Sequence, residues 1–413
     1  MTKAPPARPT QAVVLAGGRG TRMKPHTDTR PKAMVEFSGK PFLEHVLVML
    51  REQGFTDVLL LLGYLPEVIT DHFGDGSRLG LRIAYDTTDA DDLTCHRVQH
   101  AAHLLDERFL LLYCDNYWPM QFDRMWEHYL RVGAPAMVTV YANRDGWSRS
   151  SVIVDEDSMV SVFDRGRTTP GLSGVEISYA ILERDLVLPL LPAHQELFEQ
   201  AAYPVLAEKG LLSAYWSEHR YYSVGGLERL AYTEEFFARR PAVLLDRDGV
   251  LNERPPRAEY VTRPEQVRWL PGSLEAVRLL SEAGYRIAVV SNQAGVGRGA
   301  MSEQDLEAVT ARMEADIVDA GGHVDATYHC THDWDEGCTC RKPAPGMLFQ
   351  AQRELSLDLT RTLFIGDDDR DGLAAAAAGC PFAQVTDERS LLDIVRTLPG
   401  VSGRGTHDSG VSP

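Results

Sequence analysis

From Gln11 to about Phe237, short apolar runs alternate with amphipathic stretches, the pattern of parallel βαβ units in which each strand needs a crossover helix to reach its neighbour. No other feature constrains the fold as much. Ala12–Leu15, Val58–Leu62 and Phe109–Tyr113 read as strands, and Pro41–Gln53 reads as a helix. The alternation stops in the charged stretch Thr233–Arg240, ahead of Pro241, and restarts with an apolar strand at Ala242–Leu245. A chain of 413 residues can bury two cores of this kind. Two α/β domains are therefore expected, over 10–237 and 241–398, followed by a Gly, Ser and Thr-rich tail over 399–413 that is expected to be disordered.

The formal net charge of −17 argues against nucleic acid or an anionic membrane as partner, since either needs a basic face. No apolar run approaches the ~18 residues that span a bilayer, and the Pro-rich Met1–Pro9 lacks the apolar core of a secretory signal. A cytoplasmic protein is expected. Small anionic substrates remain open wherever Lys and Arg concentrate, and self-association is left undetermined.

In the second domain, three apolar runs end abruptly in polar residues. Val243–Leu245 precedes Asp246, Ile287–Val290 precedes Ser291 and Asn292, and Leu363–Ile365 precedes Gly366, Asp367 and Asp368. Ligands of open parallel sheets sit at the carboxyl ends of strands, so the three endings are expected to meet. Asp246 and Asp248 can divide the labour of phosphate ester hydrolysis. Asp246 would attack phosphorus, while Asp248 protonates the leaving oxygen and later activates water. Attack by one anion on another needs positive charge. Mg²⁺ held by Asp246, Asp367 and the Asp248 carbonyl would supply it, with Lys342 and the Ser291 hydroxyl on the phosphoryl oxygens. Cys330, His332, Cys338 and Cys340 offer three thiolates and an imidazole, the donor set of a closed structural zinc site just ahead of Arg341 and Lys342.

The Asp-x-Asp-Gly ending, the later Ser, the Lys and the acidic pair occur in the order found in the haloacid dehalogenase superfamily, which residues 242–395 resemble. With Ser291–Gly299 and Cys340–Pro343 included, the stretch looks like the heptose bisphosphate phosphatase branch, which removes the 7-phosphate of D-glycero-D-manno-heptose 1,7-bisphosphate. That resemblance implies sugar-phosphate contacts for Asn292, Arg298 and Arg341. Histidinol-phosphate phosphatases share nearly all of these motifs, and the motifs alone do not separate the two substrates.

In the first domain, Leu15-Ala16-Gly17-Gly18-Arg19-Gly20-Thr21-Arg22 follows the first strand, and Arg30-Pro31-Lys32 comes soon after. Glycines expose main-chain N–H groups to a triphosphate, and Arg22 and Lys32 neutralise charge as pyrophosphate leaves. The string resembles sugar-1-phosphate nucleotidyltransferases, most closely the heptose-1-phosphate guanylyltransferases, through about residue 237. The resemblance implies a Rossmann-like fold, binding of the nucleotide by Gly17, Gly18, Gly20, Thr21, Arg22 and Lys32, Mg²⁺ on Asp115, and GTP as the nucleoside triphosphate.

Three departures from that family stand out. Ser223 occupies the place of a metal-binding Asp, Asp91–His96 replaces a glycine-rich loop, and Asp164-Arg165 replaces Glu-Lys. His96, His100 and His103 lack acidic or cysteine partners at matching spacing and read as helix surface.

A heptose bisphosphate phosphatase yields heptose 1-phosphate, the substrate of a heptose guanylyltransferase. The expectation is thus a bifunctional enzyme making a nucleotide-activated heptose. The alternative is a phosphatase of histidinol phosphate or another small ester, fused to an inactive nucleotidyltransferase-like domain that serves binding or assembly.

Overall fold

The computed structural model describes residues 6–401, and the chain divides into two compact units between Ala238 and Arg239.

The first unit is built on seven strands: β1 (Gln11–Leu15), β2 (Asp57–Leu62), β3 (Arg82–Thr87), β4 (Arg108–Tyr113), β5 (Ala136–Tyr141), β6 (Val175–Glu183) and β7 (Leu212–Ser217). They lie in the order β7-β5-β6-β4-β1-β2-β3. All five residues of β1 are buried, and the strand runs parallel to β2 and β4 on its two sides. Such burial on both faces is what its unbroken apolar run requires. The pattern is not parallel throughout, because β6 runs antiparallel to both β4 and β5. The chain returns from β5 through the small hairpin Val152–Val154 and Val160–Phe163, so no crossover helix intervenes. Helix α1 (Phe42–Glu52) buries Phe42, Leu43, Val46, Leu47 and Leu50, the helical spacing of an amphipathic face. Leu15 pairs with Tyr113, so the glycine loop after β1 and Asp115 after β4 leave the same edge of the sheet.

The second unit has five parallel strands: β8 (Ala242–Leu245), β9 (Arg286–Asn292), β10 (Ala326–Cys330), β11 (Leu363–Gly366) and β12 (Phe382–Gln384). Their order is β10-β9-β8-β11-β12. Val243, Leu245, Ile287, Val289 and Ile365 pack on one face, while Leu244, Ala288, Val290 and Phe364 pack on the other. This alternation is the two-residue period of strands covered on both sides. The order in which strands are added reverses at β8, which has β9 on one side and β11 on the other, and that switch point opens a crevice beyond the carboxyl ends.

The expected tail does not begin at 399. Tyr285 Oη donates to the Pro399 carbonyl at 2.9 Å, and Val401 packs into the core; the rest of the tail lies outside the described residues. Among the described residues, no helix is long and apolar enough to cross a membrane.

Candidate active sites

At the crevice of the second unit, the Asp246 N–H donates to the Ile365 carbonyl at 2.9 Å, carrying the chain of β8 past its neighbour. Lys342 Nζ lies 2.8 Å from Asp246 Oδ1 and 2.7 Å from Asp371 Oδ1, and donates to the Val290 carbonyl at 2.9 Å. Burial raises the Asp246 carboxyl above the ordinary carboxylate range, and the Lys342 ammonium works against that rise. Burial also favours the neutral amine of Lys342, but Asp246 and Asp371 together lift its pKa and keep it charged.

Asp248 accepts from Arg247 Nη2 at 2.9 Å, Asn252 Nδ2 at 3.0 Å and Gln293 Nε2 at 2.7 Å. Burial alone would raise its carboxyl, but the Arg247 charge and these donors hold it below the usual range. Gln293 Nε2 also reaches Ser291 Oγ at 2.8 Å, tying Ser291 to Asp248. The turn between the two strand ends requires glycine. Gly249 has φ 95°, and a Cβ there would stand 1.8 Å from Asp367 Oδ2.

Carboxylate oxygens of Asp246, Asp367 and Asp371 lie within 4.8 Å of one another. Asp367 Oδ1 is buried with no hydrogen-bond partner, so this all-oxygen cluster fits a hard divalent cation. Asp371 was not foreseen from the sequence. It belongs to helix α2 (Asp369–Ala378), whose first turn folds it back so that its Oδ2 accepts from the Asp367 and Asp368 N–H groups at 3.2 and 3.1 Å. The acidic run after β11 was the available signal. Arg254, Arg247 and Gln293 were likewise not foreseen. Arg254 spans Asp367 at 2.7 Å and Asp368 at 3.2 Å.

Cys330 Sγ lies 3.6 Å from His332 Nδ1 and 3.6 Å from Cys338 Sγ, while Cys340 Sγ is 3.3, 3.2 and 3.5 Å from Cys330, His332 and Cys338. Zinc bonds of about 2.3 Å to sulfur and about 2.0 Å to nitrogen make tetrahedron edges of roughly 3.5–3.8 Å, close to these separations. The four residues therefore fit zinc with no position left open. Gly297 allows the loop after β9 to approach this cluster, since a Cβ there would meet Thr331 O and Asp333 N at 2.7 Å.

Asp246, Asp248, Asn292, Arg341 and Lys342 line one cavity of about 990 Å³. Asn292 does so with its amide already engaged, for it bonds both main-chain groups of Lys342 at 3.0 Å. Arg298, expected at the sugar phosphate, is not in the lining. It pairs with Asp333 at 3.0 Å and stacks 4.3 Å from the centre of the Trp334 ring, which fixes the zinc loop instead.

In the first unit, Gly17, Gly18, Arg22, Lys32 and Asp115 line a cavity of about 710 Å³. Lys32 Nζ is 2.5 Å from Asp115 Oδ2, and the lysine charge keeps this buried carboxyl below its ordinary range although burial alone would raise it. Gly20 and Thr21 lie outside the lining. Gly20 has φ 61° and wraps against Lys32, whose Cβ would be 2.9 Å from a side chain there. Ser223 faces the cavity, its strand residue paired with Asn116 next to Asp115.

Of Asp164 and Arg165 only the arginine reaches in, paired with the buried Glu199. Asp164 accepts from the N–H groups of Arg167, Thr168 and Thr169 and closes its own turn. Where a glycine loop was missed, the buried Arg97 donates to carbonyls of Leu62, Gly17, Asp89 and Asp92 and occupies the space beside Gly17 and Gly63. His96 is exposed, and His100 Nδ1 lies 2.9 Å from Asp86.

Residues 12–220 match the MobA-like NTP transferase domain model, and residues 339–398 match the HAD-hydrolase-like model. The D-glycero-beta-D-manno-heptose-1,7-bisphosphate 7-phosphatase of Rhodopseudomonas palustris is 39% identical over 150 residues, covering 35% of this chain and 82% of the relative. That of Pseudomonas aeruginosa is 37% identical over 160 residues, covering 39% and 89%. Among solved structures, a chain described as a glucose-1-phosphate thymidylyltransferase from Bacillus anthracis superposes with TM-score 0.50 at 15% identity, covering 56% of this chain and 96% of that one. This last likeness concerns the fold of the first unit alone.

Proposed function

Because the chain belongs to the MobA-like NTP transferase domain family over residues 12–220 and, in its second unit, to the phosphatase family of the heptose-1,7-bisphosphate 7-phosphatases, we propose that it is a bifunctional enzyme of nucleotide-activated heptose biosynthesis. The second unit removes the 7-phosphate from D-glycero-D-manno-heptose 1,7-bisphosphate. The first transfers a nucleotidyl group from GTP to the heptose 1-phosphate that results. The observation that carries the reading is a strand-end aspartate paired with a lysine inside a polar cavity, Asp246 with Lys342 and Asp115 with Lys32.

In the phosphatase unit, Asp246 attacks phosphorus and the bond to the sugar oxygen breaks, leaving an aspartyl-phosphate. Asp248, a carboxylate before substrate binds, takes up a proton as the anionic phosphate enters beside it and gives that proton to the leaving oxygen; as a carboxylate again it takes one from the water that releases inorganic phosphate. Lys342 and Ser291 hold the phosphoryl oxygens. Asp246, Asp367 and Asp371 would hold Mg²⁺, with the Asp248 carbonyl as a further ligand, and the ion would supply positive charge to offset what the phosphate brings against Asp246. Cys330, His332, Cys338 and Cys340 hold a structural Zn²⁺ that braces the chain entering Arg341 and Lys342.

In the nucleotidyltransferase unit, the main chain around Gly17 and Gly18, with Arg22 and Lys32, takes up the triphosphate, and Asp115 holds Mg²⁺. Seven basic side chains, including Arg149, Arg165, Arg167 and Arg229, line that cavity, as an anionic nucleotide and a sugar phosphate require. A cytoplasmic location goes with this reading, since it requires a supply of nucleoside triphosphate and sugar phosphate.

Ser223 favours a second reading, in which this unit binds or assembles without catalysis, since a hydroxyl replaces a carboxylate ligand. One experiment separates the two. Purified protein with Mg²⁺ is expected to release phosphate from heptose 1,7-bisphosphate faster than from histidinol phosphate, and to form GDP-heptose once GTP is added. Faster release from histidinol phosphate would overturn the substrate, and silence towards all four nucleoside triphosphates would overturn the transfer.

A further inference from the structure

Five carboxylates share the cavity of the first unit with its seven basic side chains, and four of the five are paired, bonded or solvated. Asp115 pairs with Lys32, Glu199 pairs with Arg165 and accepts from Tyr113 Oη, and Asp92 accepts from Gln195 Nε2 at 2.7 Å and from the Asp89 N–H at 2.9 Å. Glu228 is exposed. Glu176 differs from all of them. It is half-buried, accepts through Oε1 from the Ser178 N–H at 2.6 Å, and forms no ion pair with any described residue. Its Oε2 has no donor among the described residues. Burial lifts the Glu176 carboxyl to about 7, although the Ser178 N–H and the charges of Arg165 and Arg167 pull it down.

The main chain is bent to place this side chain. In the ladder between β5 and β6, Glu176 faces Val140 and Ala180 faces Val138, so residues 177, 178 and 179 stand against Thr139 alone. A bulge of this kind re-aims the side chains beside it. Ser178, within the bulge, takes φ 71°, a left-handed conformation that a side chain resists. In that conformation its N–H holds Glu176, while its Oγ accepts from Asn116 Nδ2 at 3.1 Å. Glu176 is thereby tied, through Ser178 and Asn116, to the residue next to Asp115.

Strand β4, which ends at Asp115, lies between β1 and β6. The glycine loop leaves β1 on one side of Asp115, and Glu176 lies on the other, because β6 runs antiparallel and begins where β4 ends. With the triphosphate on the glycine side, the group that attacks it approaches from the Glu176 side. A sugar 1-phosphate presents its hydroxyls there, and hydroxyls are the donors that an open carboxylate oxygen accepts. Asp164 cannot serve, since its oxygens close its own turn outside the cavity lining. A nucleobase also carries N–H donors, but it travels with the nucleotide on the glycine side.

We propose that Glu176 is a specificity-determining residue of the first unit, accepting through Oε2 the hydroxyl groups of the sugar 1-phosphate. The inference rests on the nucleotidyl-transfer reading above and deepens it. The sugar must turn a neutral, hydroxyl-bearing face to this wall, because a further anionic group would meet the carboxylate.

The test measures KM for heptose 1-phosphate, KM for GTP and the Mg²⁺ requirement of GDP-heptose formation in the full chain, in Glu176→Ala and in Glu176→Gln. Glu176→Ala is expected to raise KM for heptose 1-phosphate about tenfold or more, the scale of hydrogen bonds lost from a charged acceptor, with KM for GTP and the Mg²⁺ requirement unchanged. Glu176→Gln keeps an acceptor oxygen in the same place and should recover part of the loss. A KM for GTP that rises as much places Glu176 on the base, and a Mg²⁺ requirement that rises as much places it on the metal. Either result overturns the proposal, as does a KM for heptose 1-phosphate that does not move. Calorimetric binding of heptose 1-phosphate and of inorganic phosphate, with each protein in the Asp246→Asn background, separates this proposal from the transfer reading. Weaker binding of heptose 1-phosphate in Glu176→Ala, with inorganic phosphate unaffected, upholds the role of Glu176 even where no nucleotide sugar forms. Equal binding by both proteins, or no binding of heptose 1-phosphate by either, overturns it.

Discussion

Asn292 grips the main chain of Lys342 at both ends of its amide, accepting from the Lys342 N–H at 3.0 Å and donating to the Lys342 carbonyl at 3.0 Å. Residues fifty apart in sequence are thereby fixed in register, and the lysine ammonium is set between Asp246 and Asp371. Asn292→Ala is expected to lower kcat for phosphate release by about 10–100-fold, the scale of a lost positioning contact. KM should change less, and steady-state kinetics on heptose 1,7-bisphosphate checks the split.

On the proposed mechanism Asp246→Asn removes the charge of the attacking oxygen, and phosphate release is expected to fall by at least about 10⁴-fold. GDP-heptose formation from supplied heptose 1-phosphate should continue in this variant, because Asp246 lies in the other unit. Parallel phosphate and nucleotide-sugar assays read both activities.

Asp371→Asn takes one carboxylate from the cluster of three and one partner from Lys342. The Mg²⁺ concentration for half-maximal phosphate release is expected to rise about tenfold or more, with a lower kcat at saturation. Titration of activity against Mg²⁺, together with calorimetric Mg²⁺ binding, distinguishes this from unfolding.

Protein purified without chelator is expected to carry about one equivalent of zinc, and Cys340→Ser to lose it. Because the cluster braces the chain into Lys342, the variant should lower the melting temperature of the phosphatase unit and its turnover together. Elemental analysis beside thermal unfolding checks this, and less than about half an equivalent in wild type counts against the site.

Lys32→Ala leaves the buried Asp115 carboxylate without its cation. Nucleotide-sugar formation is expected to fall at least about 10²-fold while phosphate release is retained, the order of effect for an electrostatic group at a reacting phosphate. Chromatographic detection of GDP-heptose gives the readout.

Several elements were legible in the residues because their causes are local. The apolar runs at Ala12–Leu15, Ala242–Leu245 and Leu363–Ile365 are strands in the structure, since an unbroken run of branched apolar residues has to be covered on both faces. The Cys330 to Cys340 cluster was legible for the same reason: a short loop keeps its four ligands near one another whatever surrounds it.

What the sequence by itself determined is thus the two α/β units, the strand ends that carry Asp246 and Asp115, and the compact cysteine and histidine cluster. Only the tertiary structure decided which groups are spent and which are free. Asp371 joins Asp246 because the first turn of its helix folds back on β11. Arg298 turns to Asp333 and Trp334, Asn292 turns to Lys342, and Asp164 turns into its own loop, while Arg341 keeps its charge open to the cavity. Motifs specify the kinds of side chain present. Pairing among charges depends on three-dimensional distance and burial, which residues far apart in the chain set jointly.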